Sequence, residues 1–438
     1  VAYDGWQGAD DIGTALTTPV RVSTTARVTS AAGVYPITTS GGVAPNYRLI
    51  HDLGTMTVLG VHGRYEALLR DPITELPAGK VSLNLPTSGR SFSGQLLLSR
   101  ETRPLVLRGI PLLDSGRGVT TLEMTEPRND TMITMVAAIS RMGEVSVEVR
   151  EDGTLIAAAD DGIRLLEVGS RMTAPHVGLY TGILEGVDEP GPGSPRGMGW
   201  FTASATRTGR LNLSGSLGDG TAFTTSLEPD LMSQPGFRIF VQPYRPARTH
   251  SWIGGQFHLG ARTEPSVGYS QDGVDLMWRK TGLQSDASYR EGFGPLTTSI
   301  SLHPWQPPTR LSPLAMLLDT HSGQWQVWHD PTGSPSGSVL PTLVGLLPNN
   351  RLQVLAPLTT PTNIRRWQAV VQPRTGVFQG SFELLDPGQA RRVPFNGVLR
   401  QVDGDVSDVI GAGRYLLPPL RITTNGQIQS GAVRFSRE

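Results

Sequence analysis

The chain has 438 residues, more than the roughly 300 that one hydrophobic core supports, so we expect about two to four domains. Its 38 basic and 38 acidic residues balance to zero net charge, which argues against a nucleic-acid partner or an anionic lipid surface. The absence of cysteine excludes disulfides, iron–sulfur clusters and thiol nucleophiles. No apolar run reaches the roughly 18 residues of a membrane-spanning helix, so we predict no membrane span.

Glycine and proline punctuate the whole chain. The 52 glycines and 34 prolines recur every few positions and leave little room for long helices. Between them lie short alternating runs, in which Leu211 and Leu213 face one way and Asn212 and Ser214 the other, as in a half-buried strand. Only residues 132–141 are predicted to be weakly helical. The sequence therefore predicts an all-β fold.

The first 60 residues contain an ordered set of aromatic, glycine and proline positions. The phrases YDGW, LTTPVRVSTTA, GVYPITTSGG, NY and GTMTV follow one another in this segment. Their succession resembles the MBG domain, a small, mostly β module repeated in bacterial surface and adhesin-like proteins. The positions that carry the resemblance are Tyr3, Gly33, Tyr35, Pro36, Asn46, Tyr47, Gly54 and Val58.

The resemblance departs from the family at its front, where the first strand and its tyrosine-glycine turn are missing before Val1. We therefore expect a truncated module, with Val1 either a processed terminus or a cut inside a longer polypeptide. A missing strand leaves unpaired backbone groups and an uncovered apolar groove. Three interpretations remain open: a fragment of a longer protein, a gap that accepts a strand from a neighbouring copy, or a module that tolerates being short.

Beyond residue 60, a polar-glycine-polar-apolar pattern recurs along the chain. It appears as SGQL at 93–96, SGSL at 214–217, GGQF at 254–257, SGSV at 336–339, QGSF at 379–382 and SGAV at 430–433. A threonine-glycine turn precedes several copies, as expected for hairpins whose turn glycine takes a positive φ. A glycine inside the following strand predicts a bulge, a bend or a close backbone approach.

Longer phrases divide the remainder into units. GRYEALLRD at 63–71 is echoed by GLYTGILEG at 178–186, each at the start of a unit. We predict a truncated MBG-like module at 1–60 and β repeat units at 61–175, 176–300 and 301–438. Two or three antiparallel barrels or sandwiches are expected for the repeats, with propeller blades as the alternative.

The repeat units carry a second resemblance. Phrases such as GLYTGIL, GMGWFTASAT, TGRLNLSGSLGDGTAF and TGVFQGSF are similar to the C-terminal repeats of very large secreted proteins of Verrucomicrobia-type bacteria. This resemblance rests on structural glycines and core positions and supplies no catalytic residue. It implies an extracellular or cell-surface location.

Metal ligands are sparse in the sequence. The eight histidines form neither an H-E-x-x-H motif nor a short H-x-H pair, and a metal held by His250 with His258, or by His321 with His329, across a hairpin is one alternative. Calcium between the loops of Glu151, Asp152, Asp160 and Asp161 is a second alternative. Asp-Gly hairpin turns at residues 152–153 and 161–162 explain these acids as well. We predict no metal and no cofactor.

Motifs for catalysis are also missing. No G-x-S-x-G nucleophile elbow and no lysine-bearing phosphate loop occur in the chain. Glycoside hydrolysis requires two carboxylates in one cleft, and no pair stands out. We predict that the protein is not an enzyme, with a carbohydrate-active enzyme as the second alternative function.

Tryptophans cluster in the second half of the chain, where six of the eight lie between residues 252 and 367. Strand alternation places Trp325 and Trp328 on opposite faces, so one of them should be partly exposed. An exposed indole stacks on a sugar or packs against a partner, whereas the alternative is cover by a loop or a neighbouring domain. Trp325, Trp328 and Trp367 are the candidate contact residues.

Two functions fit these observations. The first is a non-catalytic structural or assembly component of the bacterial surface or extracellular matrix, self-associating through strand donation or binding other surface proteins. The alternative is an adhesin or glycan-binding module with a polysaccharide partner.

Overall fold

A computed structural model gives the structure of the chain. It describes residues 3, 5–26, 33–49, 54–58, 60–88, 90–114, 119–128, 130–140, 143–166, 174, 176–185, 193–230, 236–244, 249–259, 276–309, 324–329, 342–357, 364–386, 389–401, 409–419 and 427–437. Within these residues the fold is all-β with antiparallel strand pairing, which confirms the predicted fold class. No helix in the described part of the chain is long and apolar enough to cross a membrane.

The N-terminal module is a three-stranded sheet preceded by one helical turn. Its elements are α1 (Ile12–Ala15), β1 (Thr18–Thr24), β2 (Gly33–Val43) and β3 (Gly54–Val58), with β2 between the two others. The carboxylate of Asp11 caps α1 by accepting hydrogen bonds from the backbone N–H groups of Gly13 and Thr14, both at 2.8 Å. Strands β1 and β3 are therefore the two edges of this sheet.

Nine strands follow in one curled sheet. They are β4 (Gly63–Arg70), β5 (Pro77–Leu85), β6 (Phe92–Leu98), β7 (Leu105–Gly109), β8 (Leu112–Asp114), β9 (Val119–Arg128), β10 (Thr131–Ser140), β11 (Val145–Glu151) and β12 (Thr154–Arg164). Their order across the sheet is β7-β6-β5-β4-β12-β11-β10-β9-β8. The sheet curls until β7 lies against β9, and its inward side chains form a single apolar core.

The predicted weak helix over residues 132–141 is wrong, because residues 132–140 belong to strand β10, and residue 141 lies outside the described residues. Ile133, Met135, Ala137 and Ile139 are buried in turn, with the intervening residues less buried. Both edges of β10 are paired along their length, with β9 and with β11. Tertiary pairing therefore overrides the local composition.

The two Asp-Gly pairs have different roles. Asp152 and Gly153 have φ values of 45° and 83° and form the tight turn between β11 and β12, as predicted. The interpretation of Asp161 and Gly162 as a hairpin turn is wrong, since both lie inside β12. There β12 lies between β11 and β4, its register with both strands is irregular, and Gly162 stands opposite Val145 of β11.

The next nine strands form a two-layered sandwich. They are β13 (Gly178–Leu184), β14 (Gly199–Ala205), β15 (Leu211–Ser216), β16 (Ala222–Leu227), β17 (Gly236–Val241), β18 (Trp252–His258), β19 (Leu276–Thr281), β20 (Gly292–Thr298) and β21 (Ile300–Trp305). One sheet has the order β16-β15-β14-β13-β21 and the other β17-β18-β19-β20. Their facing side chains share one core, which includes Phe201, Phe237 and Trp278. The predicted unit boundary near residue 300 lies at the start of β21.

The last eight strands close into a barrel, called here the C-terminal barrel. They are β22 (Gln324–His329), β23 (Thr342–Leu346), β24 (Arg351–Pro357), β25 (Ile364–Gln372), β26 (Val377–Asp386), β27 (Gln389–Leu399), β28 (Val409–Leu417) and β29 (Gln429–Arg437). Each strand pairs with the next, and β29 pairs with β22. Phe378, Phe382, Phe395 and Phe435 fill the interior.

Glycines of the recurring pattern lie where two backbones approach closely, as predicted. A Cβ on Gly215 would stand 2.0 Å from the carbonyl oxygen of Trp200, and one on Gly380 would stand 2.3 Å from both the Gln368 carbonyl oxygen and the Phe395 ring. The turn glycine Gly209 has a φ of 88°, as expected for the preceding threonine-glycine turns. The SGSV copy at 336–339 lies outside the described residues.

The sandwich contacts both of its neighbours. Against the curled sheet, Leu68 packs with Phe240 and Trp252 in a small apolar cluster. Against the C-terminal barrel, Ile183 and Met198 pack on barrel residues in a second cluster. We call the latter contact the sandwich–barrel interface. It holds the sandwich on the outer wall of the barrel at strands β27, β28 and β29.

Candidate ligand groove on the C-terminal barrel

An open groove of about 1080 Å³ crosses the outer wall of the C-terminal barrel at strands β24 to β27. Most of its lining side chains are polar or cationic. On the strands that carry them, polar residues that face outward alternate with apolar residues that face the barrel core. The lining residues are Asn349, Arg351, Gln368, Ala369, Val370, Gln379, Gly380, Ser381, Arg392, Pro394, Phe395, Asn396 and Pro418.

Strand register arranges this lining in cross-strand rows. The first row runs from Arg351 on β24 through Val370 and Gln379 to Asn396 on β27, each residue paired with the next. Four adjacent strands at about 4.8 Å spacing make this row about 14 Å long. The groove is therefore wide enough for a segment of a polymer to lie across several strands.

A second row lies two residues further along the same strands. Gln368 on β25 pairs with Ser381 on β26, which pairs with Pro394 on β27. The hydroxyl oxygen of Ser381 accepts hydrogen bonds from the Gln368 amide at 3.4 Å and from Nε of Arg392 at 3.3 Å. Because both contacts use the oxygen as acceptor, the hydroxyl proton of Ser381 is left to donate to a ligand.

Local irregularity of the barrel wall opens the groove. Strands β24 and β25 pair through only two residue pairs, at Arg351 and at Leu352. Strand β25 also carries a bulge in which Arg366 has a φ of 49°. On β26, Gly380 has no side chain, so the ring of Phe395 approaches the strand closely. These features separate the wall at β24–β25 while the inner core stays filled.

The charge of the lining is uniformly positive. Arg351 and Arg392 are exposed, and none of the lining residues is a carboxylate. Glu383, the cross-strand partner of Arg392, is instead bound by Arg366, with Nη1 2.8 Å from Oε1. Within the described residues, neither Arg351 nor Arg392 forms an ion pair. The groove thus presents two arginines without a neutralising acid.

The three tryptophans proposed as contact residues lie on two strands of the same barrel. Trp325 and Trp328 belong to β22, which pairs with β23 and β29, and their side chains lie outside the described part of the structure. Trp367 is half-buried and faces the barrel interior, with its ring 5.4 Å from that of Phe395. Gln368, the next residue, faces the groove. Contact of the three indoles with a ligand stays a prediction.

A buried polar cluster lies elsewhere, between the sandwich and the barrel. The carboxylate of Asp219 accepts hydrogen bonds from the backbone N–H of Thr221 at 2.8 Å and from the Tyr244 hydroxyl at 3.1 Å. The Trp278 indole donates in turn to Tyr244 at 2.9 Å. Burial raises the pKa of Asp219, against the lowering effect of these hydrogen bonds and of Lys280.

The same cluster joins the two units. Arg414 of the barrel donates from Nε and Nη2 to the hydroxyl of Ser216 in the sandwich, at 3.1 and 3.0 Å. The hydroxyl groups of Tyr289 and Ser430 lie 2.8 Å apart across the same boundary. The adjoining cavity near Trp278 offers only about 10 Å³, about enough for one water molecule. We therefore interpret these groups as contacts that hold the units together.

Within the described part of the chain, the ligands of the alternative metal sites are not brought together. His250 and His258 lie near opposite ends of β18, and His321 is outside the described residues. Glu151 is held by Arg100 through two hydrogen bonds of 2.6 Å, and Asp152 accepts from the backbone N–H of Met132 at 2.8 Å. No group of three or more histidine and acidic residues that could hold a metal occurs within the described ranges.

Comparison with known proteins supports the N-terminal assignment. Residues 1–57 match the family described as the MBG domain, YGX type, which confirms the resemblance of the N-terminal module. The resemblance of the later units to repeats of very large secreted proteins stays a prediction. A comparison with curated protein sequences finds no match.

Two solved structures show distant similarity to the chain. Transferrin-binding protein B of Haemophilus parasuis Hp5, a vaccine antigen studied as a tryptophan-to-alanine mutant, is 9% identical with a TM-score of 0.20; the match covers 96% of this chain and 85% of that one. The isotype 1 transferrin-binding protein B of serogroup B Neisseria meningitidis is 8% identical with a TM-score of 0.22, over 97% and 84% of the two chains. TM-scores this low do not establish a shared fold.

Proposed function

We propose that the chain is a non-catalytic contact protein of the bacterial surface that binds a polysaccharide in the groove of its C-terminal barrel. The observation that carries the proposal is the groove itself, with polar side chains in cross-strand rows over about 14 Å. The MBG domain at residues 1–57 supports the surface setting, through the resemblance stated for that module.

The side chains of the groove suit sugar hydroxyl groups. The amides of Gln368, Gln379 and Asn349 each offer both donors and acceptors, and Ser381 adds a hydroxyl donor. A sugar hydroxyl is likewise both donor and acceptor, so such a surface satisfies it in several orientations. Val370 and Pro394 add apolar patches between the polar groups, which suit the carbon faces of sugar rings.

The supporting scaffold is built for rigidity. The core phenylalanines below the groove keep the inner wall of the barrel filled, and the indole Nε1 of Trp200 in the sandwich donates to Oδ1 of Asn396 at the groove's edge, at 2.8 Å. Binding to a preformed surface spends little free energy on ordering side chains. A rigid contact surface is therefore consistent with binding and requires no reactive group.

Removing two groove amides should weaken polysaccharide binding. The double variant Gln368→Ala, Gln379→Ala removes two exposed hydrogen-bonding side chains from the rows. At about 1 kcal/mol for each hydrogen bond, the dissociation constant should rise about 30-fold. A glycan array with the wild-type chain identifies the strongest polysaccharide, and calorimetry then compares the variants on it.

The matched control replaces two outward-facing glutamines of the same barrel that do not line the groove. Gln353→Ala, Gln372→Ala removes the same chemical groups from β24 and β25 and should leave affinity unchanged. An equal loss of polysaccharide affinity in both double variants, or no binding of the wild-type chain to any glycan, would contradict the proposal.

Assembly through the N-terminal module is a second candidate function, favoured by the composition of that module's surface. Among the residues of this module whose side chains the structure describes, only Ala44 is buried, whereas Ile12, Val22, Val43 and Met56 are 43–52% exposed. A three-stranded sheet needs a covered apolar face to be stable. A strand or sheet from a neighbouring copy would provide that cover.

A lysine on the exposed edge strand should prevent such assembly. Val22→Lys places a charge on β1, which blocks pairing or packing against this strand. The wild-type chain should show concentration-dependent oligomers by light scattering, and the variant should remain monomeric. Val106→Lys makes the same change at a 56% exposed valine of the curled sheet and should still assemble. A wild-type chain that is monomeric up to high concentration would rule out this function.

A further inference from the structure

We infer that the groove ligand is an acidic polysaccharide, whose carboxylate-bearing sugars are recognised by Arg351 and Arg392; this inference rests on the proposed function. Both arginines line the groove from exposed positions, and the lining contains no acid. The inference adds the chemical class of the ligand to the polymer binding already proposed.

The positions of the two arginines favour a charged polymer over a single small anion. Arg351 belongs to β24 and stands at one end of the first row, of which Asn396 on β27 is the other end. Arg392 is on β27 four residues before Asn396. Three strand spacings of about 4.8 Å and four residues of about 3.3 Å separate the two backbones by about 19 Å along a diagonal. One small anion does not bridge this distance, whereas a chain with repeated charges does.

The guanidinium group of Arg392 is placed to receive an acid. Arg392 already leans toward the centre of the groove, since its Nε donates to Ser381. The nearest carboxylate on its own row, Glu383, is engaged by Arg366. A guanidinium fork matches a carboxylate through two parallel hydrogen bonds, which makes this pair stronger than a contact between neutral groups.

An acidic peptide is the competing ligand, and the strand pairing disfavours it. Extended peptides commonly gain affinity by adding a strand to a free sheet edge. Strand β26, which carries the middle of the groove, is paired with β25 on one side and along its whole length with β27 on the other. At the middle of the groove, recognition must therefore come from side chains, which the amides and arginines provide for sugars.

The test compares polymers that differ in charge and uses the full chain. Polygalacturonate, its fully methyl-esterified form and poly-glutamate are titrated by calorimetry in 50 mM and 500 mM salt, conditions chosen because salt screens exposed charges. In 50 mM salt the wild-type chain should bind polygalacturonate at least tenfold more tightly than the ester. The higher salt should reduce this difference in affinity. Arg351→Gln, Arg392→Gln should abolish the preference, so that this variant binds polygalacturonate no more tightly than the ester.

The control removes the same net charge elsewhere. Arg21→Gln, Arg108→Gln changes two exposed arginines of β1 and β7 and should keep the preference for polygalacturonate. Three results would each overturn the inference. They are equal affinity of the wild-type chain for polygalacturonate and its ester, an equal loss of the preference in both arginine double variants, and tighter binding of poly-glutamate than of polygalacturonate. If polygalacturonate and its ester bind equally and Gln368→Ala, Gln379→Ala weakens both, polysaccharide binding stands and only the acidic class fails. If neither they nor any glycan on the array binds, the proposed function fails as well.

Discussion

Gly215→Ala is expected to destabilise the sandwich by about 3 kcal/mol, the upper part of the usual range for overpacked interiors. A Cβ at this position would stand 2.0 Å from the carbonyl oxygen of Trp200 and 2.5 Å from the Cα of Phe201. Both are backbone atoms of the paired strand β14, so no side-chain rotation relieves the overlap. Strands β14 and β15 must separate, which weakens their ladder of hydrogen bonds and the core beneath Phe201.

Thermal unfolding and hydrogen exchange measure this effect. Amide protons of β14 and β15 should exchange faster in Gly215→Ala than in the wild-type chain. The control is Ser214→Ala at the adjacent exposed position, where the change should cost no more than about 0.5 kcal/mol. Equal stability of the two variants would mean that the close approach at Gly215 does not constrain the fold.

His303→Leu is expected to stabilise the protein in acid, by about 2 kcal/mol at pH 5. His303 lies on β21 opposite Thr181 of β13 and is only 9% exposed. Burial, with a smaller contribution from the nearby Arg400, lowers its pKa from 6.5 to about 4. Neither ring nitrogen has a hydrogen-bond partner within the described residues.

The sign of the effect follows from proton binding in the two states. Between pH 6.5 and about 4 the unfolded chain binds a proton at this histidine and the folded chain does not, so wild-type stability falls as the pH falls. The loss approaches about 3 kcal/mol near pH 4, because one pKa unit corresponds to 1.36 kcal/mol. Leucine does not titrate and removes the loss.

Denaturant unfolding of both proteins from pH 4 to pH 8 checks this expectation. The difference in the free energy of unfolding should be small and constant above pH 7.5 and should grow steadily below pH 6.5. The comparison at high pH is the internal control for any packing change that leucine introduces. A difference that does not vary with pH would show that His303 titrates normally in the folded protein.

Alternation and glycine placement determined much of the fold from sequence. Alternating residues such as Leu211 and Leu213 identified half-buried strands, because a strand turns successive side chains to opposite faces. Glycines of the recurring pattern, Gly215 and Gly380 among them, marked close backbone approaches, because only a residue without Cβ fits there. The positions of the MBG resemblance identified the N-terminal module. These features depend on residues that are close together in the sequence, so they can be predicted from the sequence alone.

Other features of the fold were decided by pairing between strands and could not be predicted from the sequence. The segment that forms β10 has a helix-compatible composition and became a strand because both of its edges are paired. Gly162 follows an aspartate like a turn glycine, yet pairing with β11 and β4 places it inside a strand.

The candidate groove also depends on the pairing of strands. Arg351, Gln368, Gln379 and Arg392 belong to four strands and have no motif in common, and only the register of those strands makes them neighbours. His303 on β21 likewise lies near Arg400, a residue distant in sequence, through the tertiary fold alone. Sequence patterns specify which face of a strand is apolar, whereas the neighbours of each polar face are set by long-range pairing that minimises the free energy of the whole fold.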